Sequence, residues 1–196
     1  MKVRTTLKRL ALEDALALVD RGACFVDLRP VRDYLDVHVP GSLSLLYEAG
    51  PGMAARARDC VPLDVALVVL EGGAGDVVHA AASLRGKGFT VLGSLPDGVA
   101  AWARARGTPV STEVVDAPSP PDGTVLDVGD HGAPPSDGAR RIPIETLWPR
   151  LGELRGAERV VVASGFGVRA ALAVGMLERA GVGEVVVWRR RDRGDG

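Results

Sequence analysis

A glycine-rich segment in the second half of the chain has the composition of an anion-binding turn. It follows a predicted strand at 159–163, precedes a predicted helix at 170–179, and consists of Ser164, Gly165, Phe166, Gly167, Val168 and Arg169. The two glycines let the backbone turn tightly, so that successive N–H groups at the start of the helix face one point. Arg169 adds a full positive charge with forked donors. The segment therefore predicts a site for a small oxyanion such as sulfate, thiosulfate or phosphate.

Two other interpretations of this segment are disfavoured. Gly165, Gly167 and Ala170 also fit the spacing of a dinucleotide-binding turn, but the chain after this point is too short for the rest of a doubly wound sheet. A serine hydrolase would need a general base to activate Ser164, and nothing in the sequence places His131 beside it.

A second glycine-rich segment follows the predicted strand at 65–70. It begins with Glu71 and ends with Asp76, directly before a predicted helix at 77–85. Carboxylates at these two positions repel an anion. This first turn is therefore predicted not to bind one.

Composition and charge exclude several classes of function. Twenty-four basic residues against 25 acidic residues give a net charge of -1, which argues against a nucleic-acid partner. The two cysteines, Cys24 and Cys60, cannot build a disulfide framework, and no His or Cys spacing fits a metal site, so no cofactor is expected. The N-terminal segment does not read as a signal peptide, and the aliphatic run at 65–70 is too short to span a bilayer. We expect a soluble, cytoplasmic protein with no membrane partner.

The elements that must position these segments occur twice in the same order. The first set has predicted strands at 24–28, 65–70 and 90–92, and the second set has predicted strands at 124–128, 159–163 and 184–188. Continuous apolar strands alternating with helices predict parallel β-sheets covered by helices on both faces, an α/β fold. The polar, proline-rich segment 111–121 predicts an extended linker. It divides the chain into unit one (1–110) and unit two (122–196).

Unit one carries residues that resemble the signature of the rhodanese family. Asp27 and Arg29 end a strand as Asp-x-Arg, the turn at 38–42 reads His-Val-Pro-Gly-Ser, and the segment 95–102 closes with a glycine and Trp102. The resemblance covers about residues 8–110. In unit two, Gly129 replaces the arginine, the turn at 135–139 lacks the histidine, and nothing matches the closing helix. The resemblance implies two tandem rhodanese-like domains, the second one trimmed.

The resemblance also implies a site for sulfur transfer. In that family a loop cysteine carries the sulfur, and backbone N–H groups and a helix dipole lower its pKa. Glu71 and Ser164 occupy the positions of this cysteine, and neither side chain can carry a persulfide. The family's anion-binding arginine is matched by Asp76 in unit one and by Arg169 in unit two.

The sequence therefore favours a rhodanese-like protein without catalysis, a binding, regulatory or structural module in sulfur metabolism with a protein or a small oxyanion as partner. Two alternatives stay open: an active sulfurtransferase that uses a non-standard site, and a small-oxyanion-binding module formed by the loop at 164–169. Cys24 is expected in a buried strand and Cys60 in a loop before a strand. Neither cysteine is expected to replace the missing nucleophile.

Overall fold

Unit one folds around a sheet of four short parallel strands. A computed structural model describes residues 6–48, 50, 52–73, 75–129, 138–163 and 167–191. The elements of unit one are α1 (Leu12–Asp20), β1 (Cys24–Asp27), α2 (Val31–Asp36), β2 (Leu43–Ser44), α3 (Gly52–Cys60), β3 (Leu67–Leu70), α4 (Val77–Gly86), β4 (Val91–Leu95) and α5 (Gly98–Arg106). The strand order is β2-β1-β3-β4, and β1 and β3 are buried along their whole length, as the central strands of a parallel sheet must be.

Unit two folds around a second parallel sheet with five strands. Its elements are β5 (Glu113–Ala117), β6 (Thr124–Asp127), β7 (Arg140–Arg141), α6 (Ile144–Leu147), a 3-10 helix (Trp148–Glu153), β8 (Arg159–Val162), α7 (Val168–Arg179) and β9 (Glu184–Arg190). The strand order is β5-β9-β8-β6-β7. The predicted α/β fold, with parallel sheets flanked by helices, is confirmed.

The segment predicted as a linker differs from the prediction. Residues 113–117 form β5, which pairs in parallel with β9 along its whole length. The valines of β5 favour a strand, and the prolines that the prediction relied on follow it at 118, 120 and 121. Sheet one has a similar arrangement, because Arg9 forms a parallel bridge to Ser94 of its edge strand β4. The segment is therefore partly the edge strand of sheet two.

The two units share one hydrophobic core. Eight of the twelve residues of α7 are buried, as in a helix that lies between two layers. The largest core cluster joins side chains of both sheets, for example Val26 and Val69 of sheet one with Val160 and Val187 of sheet two. A separate cluster on the other face of sheet one packs against α1 and α5. A helical layer that contains α7 thus lies between the two sheets.

Gly175 lets α7 approach unit one closely. A Cβ atom at this position would collide with the carbonyl oxygen of Ser42 and lie 3.0 Å from the Tyr34 hydroxyl. That hydroxyl donates a hydrogen bond to the same carbonyl at 2.7 Å. The contact between the units therefore depends on a residue without a side chain.

Unit two has no counterpart of α1 among its described residues, since β5 and β6 are joined by the short segment 118–123. The described residues end at 191, just after β9, so the predicted loss of a last helix falls outside them. Among the described residues, no helix has the length and hydrophobicity needed to cross a membrane.

Candidate functional site

Glu71 is held by two side chains of its own unit. Its carboxylate accepts hydrogen bonds from the Ser94 hydroxyl at 2.7 Å and from Nε and Nη2 of Arg9 at 3.1 and 3.0 Å. Partial burial opposes ionisation of Glu71, but the hydrogen bonds from Ser94 and Arg9 outweigh it and lower the pKa of this carboxyl. Glu71 is therefore an ionised carboxylate whose hydrogen bonds are satisfied within unit one.

Asp76 caps the helix that follows the same turn. Its Oδ1 accepts a hydrogen bond from the N–H of His79 at 2.9 Å, at the start of α4. The carboxylate of Asp76 therefore lies at the N-terminus of α4, where its negative charge interacts favourably with the helix dipole. Ala74 lies outside the described residues. The turn of unit one therefore holds two carboxylates, one at each end.

The predicted anion-binding turn of unit two is described only in part. Ser164, Gly165 and Phe166 lie outside the described residues, as do His131 and residues 135–137 of the second signature turn. Gly167 is the N-cap of α7, and Val168 is its first residue. Nη1 of Arg169 donates to Oε1 of Glu145 at 2.7 Å. No sequence signal pointed to Glu145 as this partner, because it comes from α6 through the tertiary fold.

A cavity of about 290 Å³ lies between the units, where α3 faces α6 and the start of α7. Unit one contributes Arg56, Asp59 and Cys60 to its lining, and unit two contributes Glu145 and Arg169. Among the predicted anion-binding residues that the structure describes, Val168 and Arg169 line this cavity together with charged groups of the other unit. This cavity is the candidate site.

Cys60 lies in this cavity, and the prediction that it sits in a loop is wrong. It is the last residue of α3 and only 3% exposed, because the helix turns its Met53, Ala54, Ala57 and Cys60 face inward. Burial, with a smaller contribution from Glu145 and Asp59, raises the pKa of the Cys60 thiol to about 12, and Arg169 and Arg56 act against this increase. The thiol is therefore protonated at neutral pH although it lies near two guanidinium groups.

Cys24 occupies the buried strand predicted for it. Its side chain in β1 is fully buried, and this burial raises the pKa of the thiol to about 11. It behaves as a small apolar group of the shared core.

The Asp-x-Arg signature fixes the backbone after β1. Asp27, 1% exposed, accepts from the backbone N–H of Arg29 at 3.0 Å and pairs with its guanidinium at 2.6 Å. In unit two, Asp127 accepts from the N–H of Gly129 at 2.8 Å, and Arg141 of β7 lies 3.5 Å from its carboxylate. An arginine from a different strand thus replaces the one missing at position 129.

A smaller cavity of about 210 Å³ lies at the turn of unit one. Its charged lining is Asp27, Arg29, Glu71 and Asp97, with three carboxylates for one guanidinium. This excess of negative charge disfavours the binding of an anion in the smaller cavity. In the described part of the chain, no three His, Cys, Asp or Glu side chains are grouped so that they could hold a metal ion.

Comparisons with known proteins place these features in context. No model of a protein family matches the chain. The thiosulfate sulfurtransferase GlpE of Pseudomonas savastanoi pv. phaseolicola is 34% identical over 98 residues, which are 50% of this chain and 89% of that protein. A thiosulfate sulfurtransferase structure from Pseudomonas aeruginosa has a TM-score of 0.40 at 20% identity, covering 96% of this chain and 44% of that one. The 3-mercaptopyruvate sulfotransferase SseA of Escherichia coli has a TM-score of 0.41 at 18% identity, covering 95% and 99%. The chain thus spans less than half the length of the Pseudomonas aeruginosa protein.

Proposed function

The chain belongs to the rhodanese-like sulfurtransferase family, and from this premise we propose that it is a member that does not transfer sulfur but binds a small molecule. The observation that carries the proposal is the state of its thiols. The sequence contains two cysteines, and both are buried with a raised pKa, about 11 for Cys24 and about 12 for Cys60.

Sulfur transfer requires a thiolate. The thiolate sulfur attacks the outer sulfur of thiosulfate, a new S–S bond forms, and sulfite leaves with the electron pair of the broken bond. A thiol whose pKa lies several units above the ambient pH is ionised in fewer than about one molecule in a thousand. Glu71 and Ser164, at the cysteine positions of the family, offer no sulfur to carry the persulfide.

The cavity between α3 and α7 supports the second part of the proposal, that the chain binds a small molecule. Arg169, which we match to the family's anion-binding arginine, lines this cavity together with Arg56 of unit one. Both guanidinium groups can donate to a ligand with an oxyanionic group, which would compete with Glu145 for Arg169 and with Glu48 for Arg56. We assign the oxyanion expected for the loop at 164–169 to this cavity. A protein partner and the cytoplasmic location stay predictions.

An active enzyme with a non-standard site is the second candidate, because Cys60 shares the cavity with Arg169. The raised pKa of Cys60 argues against it. The two candidates differ in one measurable step, the transfer of sulfur from thiosulfate to the chain.

The test measures thiocyanate formation from thiosulfate and cyanide by the purified full chain. We expect the rate of the uncatalysed reaction, the same rate for Cys60→Ser and Cys24→Ser, and no mass increase of one sulfur atom on the protein after exposure to thiosulfate. Turnover that Cys60→Ser abolishes and Cys24→Ser retains would overturn the proposal in favour of the second candidate.

A further inference from the structure

His38 of unit one has an acceptor at each of its two ring nitrogens. Its Nδ1 lies 2.8 Å from the carbonyl oxygen of Tyr34, and its Nε2 lies 2.9 Å from Oε1 of Glu178 in α7. A carbonyl oxygen can only accept, so Nδ1 carries a hydrogen atom. The ring is fully buried, so water does not take the place of either partner. The protonation of Nε2 therefore decides whether the contact with Glu178 is attractive or repulsive.

Glu178 accepts at both of its carboxylate oxygens. Oε2 accepts from the N–H of Gly41 at 2.7 Å, while Oε1 faces His38. Without a hydrogen atom on Nε2, the lone pair of this nitrogen would point at a carboxylate oxygen, and the charge of Glu178 would lie uncompensated beside a buried ring. One added proton replaces this repulsion by a charge-assisted hydrogen bond and makes the pair neutral as a whole. The imidazole is the stronger base of the two, so the proton belongs on the ring.

The charged and titratable groups of unit one near His38 are already compensated. The ring stacks on Tyr34, whose hydroxyl is neutral, because burial and then Glu178 raise its pKa well above the ordinary value. Arg29 donates to the carbonyl oxygen of Val37, but its charge is paired with Asp27 at 2.6 Å. The other charged side chains of α2 are exposed to solvent: Arg32, Asp33 and Asp36.

The charged groups of unit two near Glu178 are likewise engaged elsewhere. Glu113 and Glu184 line a cavity together with Glu178, and both pair with Arg159, at 3.3 and 3.0 Å. Arg179, the next residue in α7, reaches the carbonyl oxygen of Gly22 at 3.5 Å. Among the described residues, the group that forms an ion pair with Glu178 is His38.

We propose that His38 is an imidazolium paired with the Glu178 carboxylate, and that this proton makes the docking of α7 on unit one sensitive to pH. In the unfolded chain a histidine releases its proton at about pH 6.5. The stability that the proton contributes is therefore fully present below this pH, and it is lost as the pH rises and the folded protein releases the proton as well. The pH dependence acts on the helix whose residues Val168 and Arg169 line the candidate cavity.

Glu178→Gln separates the proton from the contact. A glutamine side chain has the shape of glutamate; its NH₂ group donates to a neutral Nε2, and its oxygen accepts from the N–H of Gly41. Both hydrogen bonds are then kept without the added proton. Glu158→Gln is the matched control, because it makes the same change of charge at an exposed position.

Urea denaturation at pH 7 and at pH 8 measures how many protons unfolding releases. We expect the unfolding equilibrium constant of the wild-type chain to rise by about tenfold between the two pH values, which corresponds to the release of about one proton. Glu158→Gln should behave like the wild type. For Glu178→Gln the rise should be less than about twofold, since its folded state holds no additional proton.

Nitrogen-15 NMR of the histidine rings at pH 7 reports the state of His38 directly, through its contact with Tyr34. An imidazolium has two protonated nitrogens with similar chemical shifts, whereas a neutral ring has one protonated and one bare nitrogen with well-separated shifts. We expect the first pattern for His38 in the wild-type chain and the second in Glu178→Gln. The wild-type spectrum decides the question even if Glu178→Gln does not fold.

Two results would overturn the inference. One is a neutral His38 ring in the folded wild-type chain at pH 7. The other is an equal pH dependence of unfolding in the wild type and in a folded Glu178→Gln protein. Neither measurement needs a ligand or a sulfur donor, so both outcomes are independent of the proposed function.

Discussion

Oε1 of Glu178 lies 2.9 Å from Nε2 of His38, and this hydrogen bond fastens unit two to the signature turn of unit one. His38 is fully buried; its Nδ1 donates to the carbonyl oxygen of Tyr34 at 2.8 Å, and its ring stacks on Tyr34 at a centroid distance of 4.1 Å. The other oxygen of Glu178 accepts from the N–H of Gly41 at 2.7 Å. One carboxylate of α7 therefore satisfies two groups of a turn in the other unit.

Replacing Glu178 by alanine removes both acceptors at once. The buried His38 Nε2 and the Gly41 N–H then lack a partner, so we expect Glu178→Ala to lower the free energy of unfolding by about 1–3 kcal/mol. Urea denaturation measures this loss. Glu158→Ala, at an exposed position, is the control and should change stability by less than about 0.5 kcal/mol. An equal effect of the two substitutions would show that the contact between the units contributes nothing.

Gly175→Ala tests the close approach of α7 to Ser42. The new methyl group gains helix propensity of up to about 1 kcal/mol, but it meets a backbone carbonyl that cannot rotate away. We expect a net destabilisation of about 1–3 kcal/mol, as for overpacking of a core. Gly86→Ala in α4, where a Cβ atom meets nothing within 4 Å, should be neutral or stabilising. A stabilised Gly175→Ala protein would contradict the close packing.

Arg141→Ala tests the replacement of the missing signature arginine. Asp127 is 4% exposed, and without the guanidinium its carboxylate loses a charged partner. We expect a loss of about 1–3 kcal/mol in the free energy of unfolding. The neighbouring Arg140 pairs with Glu153 on the surface, so Arg140→Ala should cost less than about 1 kcal/mol. The reverse order of the two effects would mean that Arg141 does not support Asp127.

The reactivity of the thiols should depend on pH as their raised pKa values require. Because folding favours the protonated thiols, their contribution to stability is fully present below the ordinary thiol pKa of 9.0 and is lost as the pH rises toward about 11 and 12. Iodoacetamide labelling followed by mass spectrometry should find Cys24 and Cys60 unreactive at pH 8 in the folded protein and reactive in urea. Rapid labelling of Cys60 in the folded protein at pH 7 would contradict its assigned state.

Limited proteolysis should locate the connection between the units. Since β5 is paired with β9, we expect a protease of broad specificity to cut first at 118–123 rather than within 113–117. Sequencing of the first fragments identifies the site. A first cut inside β5 would show that this strand is not stably paired.

The parts of the fold that the sequence predicts are those with a strong local signal. β3 is an uninterrupted aliphatic run, β8 is a run of three valines after Arg159, and the middle of α7 is apolar throughout. In contrast, the sequence does not predict α3. Two arginines and an aspartate within its nine residues leave only a weak pattern of apolar residues at helical spacing. The sequence predicts a linker in place of β5, because the partner of β5 is β9, which lies far away in sequence.

The residues of the candidate site likewise divide into those with a local sequence signal and those that only the tertiary fold brings together. Arg169 was predicted from a local pattern of glycines and a helix start, and it lines the cavity. Its partner Glu145 and the groups Arg56 and Asp59 come from other elements, and only tertiary packing brings them together. A single sequence contains no signal for such contacts between distant segments. For that reason the sequence does not predict that Cys60 and Arg169 line the same cavity.

The pairing of β5 with β9 sets the order in which the protein can assemble during synthesis. The strands of sheet one are all present once residue 95 has left the ribosome, whereas β5 must wait for residues 184–190 before it has a neighbour. Helix α7 emerges almost as late, and its apolar surface serves both sheets. A nascent chain therefore exposes an unpaired strand and an uncovered side of sheet one until β9 is made. Without β9, the edge strand β5 would have no strand to pair with. A stop in translation before β9 would therefore remove two strands from sheet two instead of one.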